Sequence, residues 1–213
     1  MKLYTYFRSS ASFRVRIALG LKGLAYDSLP VHLSKNEQFA PSFDEVSPQH
    51  LVPALVDVNQ TLTQSLAIIE YLDETHPLPP LLPTGAAARA RVRSLALDIA
   101  CEVHPLNNLR VLRYLKKDLA VSDEAKDAWY HHWVKIGLGA LERRLVNDAA
   151  TGRFCHGDEP GLADCVLVPQ VFNAQRFKVD LAPMPTVMRI VDACMALPAF
   201  EAAQPSRCPD AEA

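Results

Sequence analysis

The chain has 213 residues, 49% of them apolar, which is enough for one large domain or two small ones around sizeable cores. Its 22 basic and 24 acidic residues leave a net charge of −2, so no electrostatic footprint for nucleic acid or an anionic membrane is present. No apolar run reaches the roughly 18 residues needed to span a bilayer, and the start Met1-Lys2-Leu3-Tyr4 lacks the features of a signal peptide, so no membrane partner is expected. The five cysteines, Cys101, Cys155, Cys165, Cys194 and Cys208, are scattered and form no C-x-x-C pair. No metal site or dithiol centre is expected, and reduced thiols point to a cytoplasmic protein.

Residues 2–7 (KLYTYF) suit a short strand. A helix follows, with Val15, Ile17, Ala18, Leu19 and Leu21 as its buried residues and Arg14, Arg16 and Lys22 as its polar side. Residues 24–33 read as a second strand, completing a right-handed βαβ unit. Residues 35–47 are polar and irregular, with room for one short helix. Residues 52–58 and 60–63 read as a hairpin. Residues 65–75 (SLAIIEYLDET) form an amphipathic helix with Leu66, Ile68, Ile69 and Leu72 inward and Glu70, Asp73 and Glu74 outward. The order βαβ then ββα predicts an α/β thioredoxin-like domain over 1–80.

Pro77, Pro79, Pro80 and Pro83 make a short stiff linker. An all-α helical domain is expected over 86–213. The spacing predicts a long helix over 86–117 kinked at Pro105. A second covers 123–148, with Trp129, Trp133, Ile136, Leu138, Leu141 and Leu145 as its buried stripe. Further helices cover 161–176 and 185–197. From Gln204 the tail, rich in Pro, Ala and acid, is expected to be loosely held.

Three features carry chemistry. Ser9, Ser10 and Ser12 sit where the first strand turns into a helix, where unpaired N–H groups and a partial positive charge favour an anion such as a thiolate. A serine there can equally be only an N-cap. Pro53 enters a strand after Val52. In a thioredoxin-like sheet a cis bond there would turn the Val52 N–H and C=O toward a peptide-like ligand, whereas the plain alternative is an edge strand starting at proline. Gln64-Ser65 heads the third helix, where Ser65 is a natural cap and the helix start could take a carboxylate. All three fall at one end of one sheet. They suit a small extended ligand with a central thiol and a terminal carboxylate, which describes glutathione.

The stretches SSASFRVRIALGLKG (9–23), QHLVPALVD (49–57), QSLAIIEYLDE (64–74), HPLNNLRVLRYL (104–115), GLADCVLVPQV (161–171) and NAQRFKVDL (173–181) resemble, in order and spacing, the motifs of the zeta class of glutathione transferases. The resemblance covers residue 2 to about residue 200. It implies the two-domain glutathione transferase fold, glutathione as cofactor, a homodimer, and glutathione-dependent cis–trans isomerisation of a maleyl diketo acid. It further implies that Ser9 and Ser10 hold the glutathione sulfur, with Arg8 in the same catalytic loop. Val52, Pro53, Gln64 and Ser65, with Gln38 near the glycyl end, would bind the rest of glutathione. His104 and Asn108, one turn apart at the kinked helix, are expected to contact glutathione or substrate. Arg8, Arg110 and Arg176 are expected to bind the carboxylates of a dicarboxylic or keto-acid substrate. The class usually reads Ser-Ser-Cys where this chain has Ser9-Ser10-Ala11, which puts side activities in doubt more than isomerisation. Asp164 matches an aspartate that completes a capping box; with Gly161 in place of the hydroxyl residue, only the aspartate half remains. Two alternatives stay open: a general detoxifying glutathione transferase or peroxidase, against which the arginines argue, and a non-enzymatic binding protein, against which the intact serines argue.

Overall fold

The computed structural model describes residues 1–212. They fall into two compact units, Met1–Leu82 together with the segment from Met195 onward, and Pro83–Cys194. The last turns of the chain thus belong with the sheet unit, not with the helical unit to which an 86–213 boundary assigns them.

In the first unit β1 (Lys2–Thr5) leads to α1 (Ser10–Leu21), β2 (Asp27–Pro30), the single-turn α2 (Pro41–Asp44), the hairpin β3 (Ala54–Asp57) and β4 (Gln60–Thr63), and α3 (Ser65–Thr75). The sheet order is β2-β1-β3-β4, with β1 parallel to β2 and antiparallel to β3. Leu3 sits opposite Leu55, and Leu55 opposite Leu62, so one set of alternating leucines runs across three strands. β1 is shorter than its pattern predicts because the Ser9 N–H donates to Tyr6 O at 2.9 Å and turns the chain. β2 is also shorter, since Leu24 is occupied in ending α1. Its N–H reaches Leu19 O at 3.0 Å while Gly23, at φ +65°, donates to Gly20 O at 3.1 Å. This is a Schellman stop that needs the left-handed residue glycine supplies.

α1 has no polar side. Arg14, Arg16 and Lys22 are only 2, 4 and 8% exposed, as buried as their apolar neighbours. Each cation has a fixed task. Arg14 reaches Ser65, Arg16 reaches the carbonyls after β1, and Lys22 anchors the linker. Lys22 Nζ donates to Asp73 Oδ1 at 2.6 Å, His76 O at 2.7 Å and Pro79 O at 2.6 Å, and Asp73 Oδ1 also accepts the Leu81 N–H at 2.7 Å. Asp73 therefore faces inward, against its predicted outward position, because a buried ammonium requires a buried carboxylate.

The tail is not loose. After α10 (Pro198–Ala202), which packs on α1, Ala203 O accepts from Arg16 Nε at 3.1 Å, Asp210 Oδ2 accepts the Phe7 N–H at 3.0 Å, and Glu212 pairs with His32 at 2.8 Å. Composition hides this, since the partners lie almost the whole chain away.

The second unit contains α4 (Ala86–Leu97), α5 (His104–Asn107), α6 (Leu109–Lys117), α7 (Asp123–Val146), α8 (Leu162–Arg176) and α9 (Pro185–Met195). The stretch 86–117 is not one kinked helix. A wide π-type turn over Asp98–Val103 precedes Pro105, and Asn108 breaks the helix outright at ψ 163°. On α7 the buried stripe is Tyr130, Val134, Leu138, Leu141 and Leu145, while Trp129 and Trp133 are half-buried and Ile136 is 53% exposed. The two tryptophans mislead the phase; the 4-4-3-4 spacing from Tyr130 through Val134, Leu138 and Leu141 to Leu145 sets it. Gly137 allows α7 to approach the wide turn, since a Cβ there would stand 2.1 Å from Val103 Cγ2. Asp164 reaches back to the Gly161 N–H and to the Cys155 N–H, both at 2.9 Å, and so caps α8 without a hydroxyl partner. Among the described residues no helix is long and apolar enough to cross a membrane, and no group of His, Cys, Asp and Glu is placed to hold a metal ion.

Candidate active site

The turn after β1 holds the first candidate residues. Ser9, at φ −73° and ψ 118°, is the N-cap of α1, and its Oγ accepts the Ser12 N–H at 3.2 Å. The cap and the anion-ligand roles, alternatives in the sequence, are compatible here. Capping uses a lone pair and leaves the hydroxyl proton to donate. No acidic residue stands in the first turn of α1, so the helix brings no carboxylate of its own against its positive end. Ser10 is the first helical residue and is buried; Ser9 is half-buried. Arg8 is exposed, with its guanidinium 4.7 Å above the Phe7 ring centroid.

The register brings the other candidates to the same end of the sheet. Tyr4 pairs with Ala54 and Ala54 with Thr63, so the end of β1, the start of β3 and the end of β4 lie side by side. Ser9, Val52 and Gln64 each follow or precede one of these. The Val52–Pro53 peptide is cis. Ser47 holds the loop just before it by donating to Leu51 O at 2.9 Å. No hydrogen bond among the described residues uses the Val52 N–H or C=O, so both can pair with an extended peptide.

Gln64, not Ser65, occupies the cap position of α3, and it offers no side-chain cap. Its backbone sits at φ 69° and ψ 113°, an outlier of the sort held in place at ligand sites. Its Nε2 donates to Gln49 Oε1 at 3.3 Å. Ser65 Oγ accepts from the buried Arg14 Nη1 at 3.2 Å. An uncapped helix start with a guanidinium behind it fits a carboxylate. Arg14 is a further candidate that the sequence did not single out; an arginine set in an apolar run is the signal that could have found it. Gln38 is buried, its Oε1 has no hydrogen-bond partner among the described residues, and its carbonyl accepts from His50 Nδ1 at 3.0 Å. His50 stands in the 49–57 motif and had drawn no role from the sequence.

In the helical unit His104 opens α5 and is half-buried. Asn108 is not on the same helix face. It is the N-cap of α6, and its Oδ1 accepts the Val111 N–H at 3.2 Å, leaving its amide N–H groups for other partners. Arg110 and Arg176 are exposed, on α6 and at the end of α8; Arg176 Nη1 donates to Asn173 Oδ1 at 2.9 Å. Among the described residues neither they nor Arg8 forms an ion pair with a carboxylate.

The residues of the sheet unit therefore fit glutathione feature by feature. They provide a hydroxyl donor at a positive helix end for sulfur, open peptide groups for a strand-like backbone, and a guanidinium-backed helix start for a carboxylate. Residues 1–74 match the family model described as glutathione S-transferase, N-terminal domain. A probable maleylacetoacetate isomerase of Vibrio cholerae is 50% identical over 98% of this chain and 97% of its own. A solved maleylpyruvate isomerase, a bacterial glutathione transferase of the zeta class in its holo form, is 48% identical, covers 100% of both chains and superposes with a TM-score of 0.97. The maleylacetoacetate isomerase of Anaeromyxobacter dehalogenans, solved with dicarboxyethyl glutathione and citrate in its active site, is 44% identical, with 100% of this chain and 97% of that one covered at a TM-score of 0.87. With a capped serine turn, a cis-proline strand start and an open α3 terminus in place, the chain belongs to the zeta class of the glutathione transferase family.

Proposed function

We propose that the protein is a glutathione-dependent cis–trans isomerase that converts a maleyl diketo acid, maleylpyruvate or maleylacetoacetate, to its fumaryl isomer in the breakdown of aromatic compounds. The observation that carries the reading is Ser9. Its hydroxyl is oriented by capping and still has a proton to give at the positive end of α1. When bound, glutathione supplies a nucleophilic sulfur for reversible addition to the activated double bond, and is regenerated. The chain's own residues do the rest. Ser9, with Ser10 beside it, donates toward the sulfur and with the helix end favours its ionised form. Val52, Gln38, Gln64, and Ser65 backed by Arg14, fix the peptide, with His104 and Asn108 as further glutathione contacts. Arg8, Arg110 and Arg176, cations without carboxylate partners among the described residues, take the substrate carboxylates. The Anaeromyxobacter relative supports the substrate class, since a dicarboxyethyl group on sulfur is what thiol addition across a butenedioate gives. The working form is a cytoplasmic homodimer, to be checked by light scattering.

The test mixes purified protein with maleylpyruvate or maleylacetoacetate, with and without glutathione, and follows loss of the diketo-acid absorbance. Glutathione-dependent turnover supports the isomerase, and the ratio of the two kcat/KM values names the substrate. Inertness toward both, with conjugation of an aryl halide, would replace this reading by a detoxifying transferase.

A further inference from the structure

The serine turn is held by charged side chains that no hydroxyl chemistry calls for. Arg16, buried on α1, donates from Nη1 to Thr5 Oγ1 at 3.1 Å and to Tyr6 O at 3.5 Å, from Nη2 to Phe7 O at 3.1 Å, and from Nε to Ala203 O at 3.1 Å. Asp210 Oδ2 accepts the Phe7 N–H at 3.0 Å. The Phe7 residue, two before Ser9, is thus gripped at its carbonyl by a cation and at its N–H by an anion. The tail that delivers Asp210 is itself pinned. Glu212 lies 2.8 Å from His32 Nε2 and 3.3 Å from Lys35 Nζ, and His32 Nδ1 contacts Ser34 Oγ at 3.1 Å, which touches Tyr6 OH at 3.3 Å. His32 also lies against the Tyr6 and Phe7 rings, at 5.0 and 6.3 Å between centroids. Tyr26 and Cys208 are the other titratable groups near Arg16.

We propose that the C-terminal segment is a clamp on the serine turn, with Asp210 and Arg16 as positioning residues that set the direction of the Ser9 hydroxyl. The turn Tyr6–Ser9 has one backbone hydrogen bond of its own, Ser9 N–H to Tyr6 O, and a single bond does not fix a peptide plane. Asp210 holds the N–H of the Tyr6–Phe7 peptide, whose carbonyl also accepts from Arg16 at 3.5 Å, and Arg16 holds the carbonyl of the Phe7–Arg8 peptide at 3.1 Å, so two successive peptide planes ahead of Ser9 are each tied to a charged side chain. Asp210 Oδ1 is buried with no hydrogen-bond partner among the described residues, so the carboxylate's one hydrogen bond is the one to the Phe7 N–H. An asparagine keeps the bond; an alanine loses it.

The inference rests on the glutathione reading above, and the experiment separates the two. Hydrogen exchange of residues 6–12 without glutathione tests the clamp alone, using the full-length protein, Asp210→Ala, Asp210→Asn and a chain ending at Arg207. Alanine and the truncation should exchange at least about tenfold faster there, with asparagine near the parent. Ultraviolet titration of bound glutathione then tests the consequence. Asp210→Ala should raise the thiol pKa by about one, which is a roughly tenfold loss of kcat/KM at pH 6 that closes at alkaline pH, with glutathione KM nearly unchanged. Unchanged exchange in Asp210→Ala overturns the clamp whatever the enzyme assay shows. Faster exchange with an unaltered pH profile overturns the catalytic consequence. If the parent protein itself fails to ionise glutathione, the functional reading falls while the exchange result still judges the clamp.

Discussion

Replacing Ser9 by alanine removes two interactions that read out separately. The first is the cap. Ser9 Oγ accepts the Ser12 N–H at 3.2 Å, and losing an N-cap serine costs about 1 kcal/mol, a small part of the roughly 5–15 kcal/mol that holds a domain together. The variant therefore stays folded. The second is the hydroxyl proton. A hydrogen bond to an ionised partner contributes about 1.5–3 kcal/mol, so its loss should raise the pKa of the bound thiol by about one to two. The sign follows directly. A higher thiol pKa lowers the thiolate fraction at neutral and acid pH and leaves it unchanged once the thiol is ionised anyway. The Ser9→Ala variant should thus lose about 10- to 100-fold in kcat/KM below neutrality and recover toward alkaline pH, with glutathione affinity modestly lower. Ser10→Ala should shift the titration less, because Ser10 lies within the first turn of α1 and is buried, whereas Ser9 is half-buried at the cap. Ultraviolet titration of bound glutathione and pH profiles of kcat/KM supply the two measurements, and Ser9→Thr should restore most of both. If Ser9→Ala titrates bound glutathione as the parent does, the hydroxyl is only a cap and the chemistry must be placed elsewhere.

Asp73→Ala leaves the ammonium of Lys22, whose side chain is fully buried, without its carboxylate and the Leu81 N–H without its acceptor, and should cost about 3–5 kcal/mol by urea unfolding. A loss under about 1 kcal/mol would mean the pair is solvated and the linker is not anchored by it. Gly137→Ala forces a Cβ to 2.1 Å from a Val103 methyl; helix propensity favours alanine by about 1 kcal/mol, yet overpacking of about 1–3 kcal/mol should win and lower the melting temperature. A thiol reagent should label exposed Cys101 quickly and leave Cys155 and Cys194 untouched until unfolding, because burial pushes both thiols well up from their ordinary range. Unfolded thiols ionise near about pH 8.5 while these stay protonated in the fold, so stability should decline above that pH, and less steeply in Cys194→Ala. Rapid labelling of Cys194 in the native protein would contradict the burial that underlies both expectations.

Much of the fold was legible because its signals are local. A serine cap at the first strand-to-helix turn, the Pro53 strand start and the Asp164 cap each need only a few adjacent residues to be read, and the βαβ–ββα order is a succession of such local patterns. What stayed hidden depends on partners far along the chain. Arg14 meets Ser65 across 51 residues, Lys22 meets Asp73 across 51, and Arg16 meets Ala203 across 187. With no partner in view, three cations set among apolar residues of a helix look like its solvated side, and an acidic tail looks unattached. Asn108 was misjudged for a related reason. Its side chain competes with the helix backbone and caps α6, which moves it off the face it would share with His104. On α7 the two tryptophans and Ile136 outweighed the smaller aliphatic residues that actually set the buried stripe.

The central claim is that glutathione is a regenerated catalyst, so the most direct measurement is turnover at substoichiometric glutathione. Maleylpyruvate, and separately maleylacetoacetate, would be held in about hundredfold excess over glutathione with a catalytic amount of protein, and the fumaryl product counted against glutathione remaining. Many product molecules per glutathione, with all of the free thiol recovered at the end, is the outcome expected here. Product that stops at one per glutathione, with the thiol consumed, would show a conjugating transferase instead of an isomerase.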